Sequence, residues 1–79
     1  MELQNFPQPV QIRLRTLEIC LNHYGYVNRW MLCDLFGLSA PQVSKDIAIY
    51  RELSGGGIFY NQATRRIEKL SEFKPIFNT

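Results

Sequence analysis

No stretch of the 79 residues approaches the roughly 20 consecutive apolar side chains needed to cross a bilayer. The opening Met1-Glu2-Leu3-Gln4-Asn5 lacks the basic and apolar regions of a secretory signal, so the expected location is the cytoplasm. Cysteine is scarce. Cys20 and Cys33 stand thirteen residues apart inside apolar helical patterns, which is not a zinc spacing, and no second Cys or His pair completes a four-ligand set. Both are read as small buried hydrophobes, and no metal or cofactor is expected. Histidine occurs once, at His23, with no Ser or Cys nucleophile and orienting carboxylate beside it, which argues against an enzyme. Neither sign of charge dominates: nine Lys and Arg face seven Asp and Glu, a formal charge of +2 that permits nucleic-acid binding without demanding it. Internal repeats and low-complexity runs are also missing.

What is present suits one small core, with 46% hydrophobic and 13% aromatic side chains. A domain of this size buries only about 60% of the surface its unfolded chain exposes, so a second copy is a natural source of extra stability. Residues 1–9, with Asn5, Pro7 and Pro9, read as an extended arm, and residues 10–79 as the domain. Over residues 10–24, Val10, Leu14, Leu17, Leu21 and Tyr24 recur at spacings of four and three, which is one helical face. Ile12 and Ile19 fall on another side of that helix and are the candidates for a dimer interface.

Gly25 ends the first helix, and after Tyr26-Val27 the side chain of Asn28 is placed to cap a second. That helix, Arg29 to Phe36, carries Met31, Leu32, Leu35 and Phe36 at helical spacing and stops at Gly37. Ser39-Ala40-Pro41-Gln42 then forms a Ser-x-x-Gln capping box with proline in the first turn. The third helix reaches about Leu53, with Val43, Ile47, Tyr50 and Leu53 inward and Gln42, Ser44, Lys45 and Ile49 on its other face. Gly55-Gly56-Gly57 breaks it. Ile58-Phe59-Tyr60 opens a strand, residues 61–64 have turn composition, and residues 65–70 return as the partner. The ending Phe73-Lys74-Pro75-Ile76-Phe77 is apolar enough to pack back on the domain or on a neighbour.

Two helices joined by the short Gly37-Leu38-Ser39 turn cross steeply and leave the start of the second exposed. Such an end fits the major groove, which is about 12 Å wide and displays a distinct pattern for each base pair. A hairpin behind it is a wing, so the expected fold is mainly α with a small β-hairpin: a winged helix-turn-helix of three helices plus wing. Gln42 can pair with adenine and Lys45 with guanine; Ser44 is equally able to bond a phosphate, and Pro41 or Ala40 can touch a thymine methyl. Arg65 and Arg66, at or just past the wing tip, suit phosphates or a narrow minor groove. Arg29, at the start of the second helix, joins Ser39 and Lys69 as a backbone contact. Asp46 would repel phosphate and is expected to pair internally with an arginine, Arg51 being the local candidate. Trp30 reads as a partly exposed packing residue, with a phosphate-contacting indole N–H or a partner interface as sharper options.

Arg13-Leu14-Arg15 with Glu18, Gly25-Tyr26-Val27-Asn28-Arg29, Leu35-Phe36-Gly37-Leu38-Ser39-Ala40-Pro41-Gln42-Val43-Ser44 with Asp46, and Tyr50-Arg51-Glu52-Leu53 resemble the N-terminal winged helix-turn-helix of the WYL-domain transcriptional repressors that accompany bacterial antiphage systems. The ending at residues 73–77 also resembles the close of that module; Gly55-Gly56-Gly57 departs from it. The resemblance implies a dimeric repressor module that recognises an inverted repeat, with residues 39–53 as recognition helix and 58–70 as wing. It does not carry effector sensing across, because that belongs to a WYL domain absent from this stretch. The functional expectation is a sequence-specific, double-stranded DNA-binding repressor acting as a homodimer, encoded by a phage or mobile element. Its rival is a protein-binding winged helix that acts as an antirepressor or inhibitor of a bacterial defence component.

Overall fold

In the computed structural model, which describes residues 5–77, helix α1 (Gln8–Tyr24) leads through a two-residue strand β1 (Tyr26–Val27) into helices α2 (Arg29–Phe36) and α3 (Ala40–Leu53), then a hairpin of β2 (Ile58–Asn61) and β3 (Arg66–Lys69). Residues 1–4 of the expected arm lie outside the described residues. Helix α1 begins at Gln8, two residues before the apolar pattern starts, and takes Pro9 into its first turn. Proline is tolerated there because first-turn N–H groups have no partner within the helix. The Gln11 side-chain amide fixes the approach by donating to the Phe6 carbonyl at 2.8 Å.

Leu14, Leu17 and Leu21 of α1, Leu32 of α2, Val43, Ile47 and Tyr50 of α3, and Val27, Ile58 and Ile67 of the sheet form one buried core. The spacings of three and four in α1 and α3 therefore mark the inward faces as expected. Their ends do not: Tyr24 is exposed, being the last helical residue before Gly25 turns the chain with φ 85°, and Leu53 is half-buried. In α2 only Leu32 is fully inside. With eight residues the helix presents little more than one inward position, so Met31 and Leu35 are exposed and Phe36 is half-buried. Cys20 and Cys33 are half-buried against the core, and burial pushes the Cys20 thiol pKa up.

Charged side chains also reach the interior, each compensated. Glu18 is fully buried; its carboxylate accepts bonds from the Tyr50 hydroxyl at 2.7 Å and from the backbone N–H groups of Ile76 and Phe77. Burial, aided by that bond and the Glu18 charge, drives the Tyr50 phenol far above its ordinary pKa, so it remains a donor. Residues 73–77 consequently pack back on the domain, with the Phe73 ring 6.4 Å from that of Tyr50 and the Arg15 guanidinium 5.3 Å above Phe77. Asp46 is held by Arg13 of α1, at 2.6 Å from Nε and 3.3 Å from Nη2, and not by Arg51. Five residues along a helix is about 140° of rotation, so Asp46 turns toward α1 while Arg51 turns toward the sheet.

The three strands are antiparallel in the order β1-β3-β2, with Val27 opposite Ile67 and Asn61 opposite Arg66. β1 adds an edge that the sequence pattern does not show, since two residues are too few to display alternation. The hairpin turn occupies residues 62–65, one later than expected. Asn61 sets it by accepting the amides of Ala63 and Thr64 on its side-chain oxygen at 3.0 and 3.3 Å.

Candidate nucleic-acid interface

Gly37 closes α2 in the left-handed region at φ 66°, which a side chain would strain, and its amide bonds back to the Cys33 carbonyl. Leu38 and the extended Ser39 then aim α3 outward. Ser39 occupies the N-cap position, as the sequence indicates, but its hydroxyl makes no capping bond. The Asn28 side chain makes none at the start of α2 either. The Ser-x-x-Gln box is thus not closed. Its consequence is chemical: the Ser39 hydroxyl and the Gln42 side chain are exposed and carry no hydrogen bond among the described residues.

Ala40, Pro41, Gln42 and Lys45 are exposed, and the docked residues 73–77 lie elsewhere, against Glu18 and Tyr50. Helical geometry separates the four sequence-chosen readers. Ser44 stands about 200° around the helix from Gln42 and lines a groove facing the sheet, so it does not share the Gln42 edge. Pro41 and Lys45, four apart, share the outward stripe.

Arg29 opens α2, its guanidinium 5.6 Å from the centroid of the Tyr60 ring of β2. Arg29, Trp30, Ala40, Tyr60 and Arg65 line one shallow hollow of about 230 Å³, so the start of α2, the start of α3 and the wing converge. Arg65 sits in the wing turn at φ 57°, a left-handed conformation that costs a residue with a Cβ about 1 kcal/mol or more. Beneath it Glu68 braces the turn, accepting from the Thr64 hydroxyl at 2.9 Å, the Asn61 amide at 3.3 Å and Arg66 at 3.4 Å. Those bonds, Thr64 foremost, hold its carboxyl below the usual carboxylate range.

The structure engages two expected backbone contacts elsewhere. Arg66 lies on β3 with its guanidinium 4.0 Å from the Tyr26 ring centroid and paired to Glu68. Lys69, at the far end of β3 from the turn, points its ammonium at the Asn22 carbonyl, 3.4 Å away, and over the Phe73 ring. Arg51 and Tyr60, which sequence reasoning missed as site residues, line the sheet-side groove. Arg51 escaped notice because it served as a candidate partner for Asp46; the i, i+7 spacing from Ser44 was the available signal. Ile12 and Ile19 are exposed on the outer side of α1, beside Arg15 and Thr16.

Helices crossed through a three-residue turn and backed by a third, with a sheet ending in an exposed hairpin, define a winged helix-turn-helix domain. The chain belongs to the family of the BrxR transcriptional regulator winged helix-turn-helix domain, matched over residues 9–79. It is similar to proteins named DNA-binding transcriptional repressor CapW: 38% identical over 64 residues to that of Stenotrophomonas maltophilia, covering 81% of this chain and 21% of the relative. The figures are 35% over 65 residues for Pseudomonas aeruginosa and 33% over 67 residues for Escherichia coli strain KTE188, covering 82% and 85% of this chain and 22% of each relative. The chain spans about a fifth of the length of these relatives. Among the described residues, no helix is long and apolar enough to cross a membrane.

Proposed function

We propose that this domain is the sequence-reading part of a double-stranded DNA-binding transcriptional repressor, working in the cytoplasm as a homodimer on an inverted repeat and performing no catalysis. The observation that carries the reading is the start of α3: exposed, uncapped by its own side chains, and flanked by Arg29, Lys45 and Arg65, cations with no ion pair among the described residues. Gln42 and Lys45 read base edges, and Pro41 meets a thymine methyl. Arg29, Ser39 and Arg65 hold the backbone, while Arg66 and Lys69, engaged elsewhere, contribute attraction at longer range. The names of the similar repressors support the same reading.

The test is a salt-titrated binding assay on the DNA upstream of the chain's own gene, with random duplex as competitor. Tight, salt-sensitive binding that survives the competitor is expected. Affinity no better than for random duplex, together with tight capture of a repressor or defence protein, would establish the antirepressor reading instead. The subunit contact is assigned to Ile12 and Ile19. Replacing both with Glu should yield monomers in sedimentation with helical content retained, and unchanged dimers would move the interface off α1.

A further inference from the structure

The groove between α3 and the wing is a separate feature from the exposed start of α3. It encloses about 180 Å³ and is walled by Ser44, Ala48 and Arg51 on one side and by Arg29 and Tyr60 on the other. Ser44, Ala48 and Arg51 follow one another at i, i+4 and i+7, so a single flank of α3 supplies that whole wall. The floor is apolar, formed by Ile47 and Ile67. Ala48, between the hydroxyl and the guanidinium, is what leaves the space open.

Charge is the informative property of this groove. Two arginines, Arg29 and Arg51, line it, and no acidic residue does. Neither Arg29 nor Arg51 forms an ion pair among the described residues, where the ion pairs are Arg13 with Asp46 and Arg66 with Glu68. Two like charges sharing one concavity repel until an anion joins them. The Tyr60 ring supports Arg29 through its face and leaves the guanidinium N–H edges free to bond. Ser44 offers a hydroxyl in the same wall. This is a donor set for a tetrahedral, singly charged oxyanion, presented beside the helix that enters the duplex.

We infer that the groove seats one phosphodiester of the DNA backbone, held by Arg51 and Arg29 with Ser44, so that a single phosphate is gripped by α2 and α3 together while Tyr60 of the wing supports Arg29. The inference rests on the DNA-reading function proposed above and assigns Ser44 to the backbone, not to a base. A phosphate seated there fixes the depth of α3 in the major groove, since α2 and the recognition helix then register against one atom group.

The test compares the wild-type domain with Arg51→Gln and with Ala48→Glu, which places a carboxylate in the groove; circular dichroism checks that both fold. Arg51→Gln should lower the slope of log K against log salt by about 0.9, making binding about 3-fold less sensitive between 50 and 200 mM salt, equally on operator and random duplex. Ala48→Glu should weaken both further. Amide resonances of Ser44, Ala48 and Arg51 should shift with a short duplex and stay put with inorganic phosphate at the same concentration. A wild type that binds duplex while Arg51→Gln keeps its salt slope overturns the groove alone. Loss confined to the operator would make Arg51 a base reader, and saturation by inorganic phosphate would make this a free-anion site; either overturns the inference. A wild type that binds no duplex takes down both proposals.

Discussion

The two sides of this domain treat their polar groups in opposite ways. On the side where α1 meets α3, Asp46 is held twice by Arg13, and Glu18 collects donors from Tyr50 and from residues 76 and 77. On the side where α3 begins and the wing turns, the side chains of Ser39, Gln42, Lys45 and Arg51 have no hydrogen-bond or ion-pair partner among the described residues, and Arg65 occupies a strained backbone position. The helix-turn-helix frame is the same on both. What differs is whether a polar group is satisfied by the fold or left for something else, and that difference separates stability from recognition within a few turns of one helix.

The comparison is broken most severely at Glu18. Glu18→Ala leaves the partly buried N–H groups of Ile76 and Phe77 and the buried Tyr50 hydroxyl without their acceptor, and should lower unfolding free energy by about 3 kcal/mol in urea titration. Unchanged stability would show that the satisfied side does not hold the fold. Next come Gln42→Ala and Lys45→Ala. Each should lose about 1 to 3 kcal/mol on the operator, less on random duplex, with unfolding altered by no more than about 0.5 kcal/mol. Equal losses on both DNAs would remove the base-reading roles. A smaller effect of opposite sign sharpens the contrast: Arg65→Gly relieves the left-handed strain and should gain about 0.5 kcal/mol of stability while weakening DNA binding.

The smallest effect is in acid. The Glu68 carboxyl lies below its usual range when folded, so its contribution to the wing is fully present above the unfolded value of about 4.3 and is lost as pH falls through the lower folded value. Amide resonances of Ala63 and Thr64 should therefore hold from neutral pH down to the mid-acid range and then move together. In Glu68→Gln that acid step should be absent.

Much of this architecture is legible in the sequence because it is written locally. Gly37, Ser39 and Pro41 mark where α2 stops and α3 starts, and Leu14, Leu17, Leu21, Val43, Ile47 and Tyr50 mark the inward faces by period alone. What escapes depends on partners far along the chain. Glu18 looks like a surface residue until the amides 58 and 59 positions later arrive. Asp46 looks toward Arg51 until α1 places Arg13 against it, 33 residues away. Within the candidate site, the exposed start of α3 follows from the turn. The parting of Ser44 from Gln42 and the withdrawal of Arg66 and Lys69 follow from where the sheet packs, and β1, which adds an edge to that sheet, is too short to announce itself.

The Glu18 carboxylate is a junction with one set of lone pairs and several clients. Lifting residues 76 and 77 would strip a buried anion of its amide donors, and disturbing Tyr50 would strip it of a hydroxyl, so neither event is energetically independent of the other. The end of the described chain and the middle of α3 are thereby locked into one cooperative unit. A tail that peels away while the helix stays seated is a state this domain pays heavily to visit.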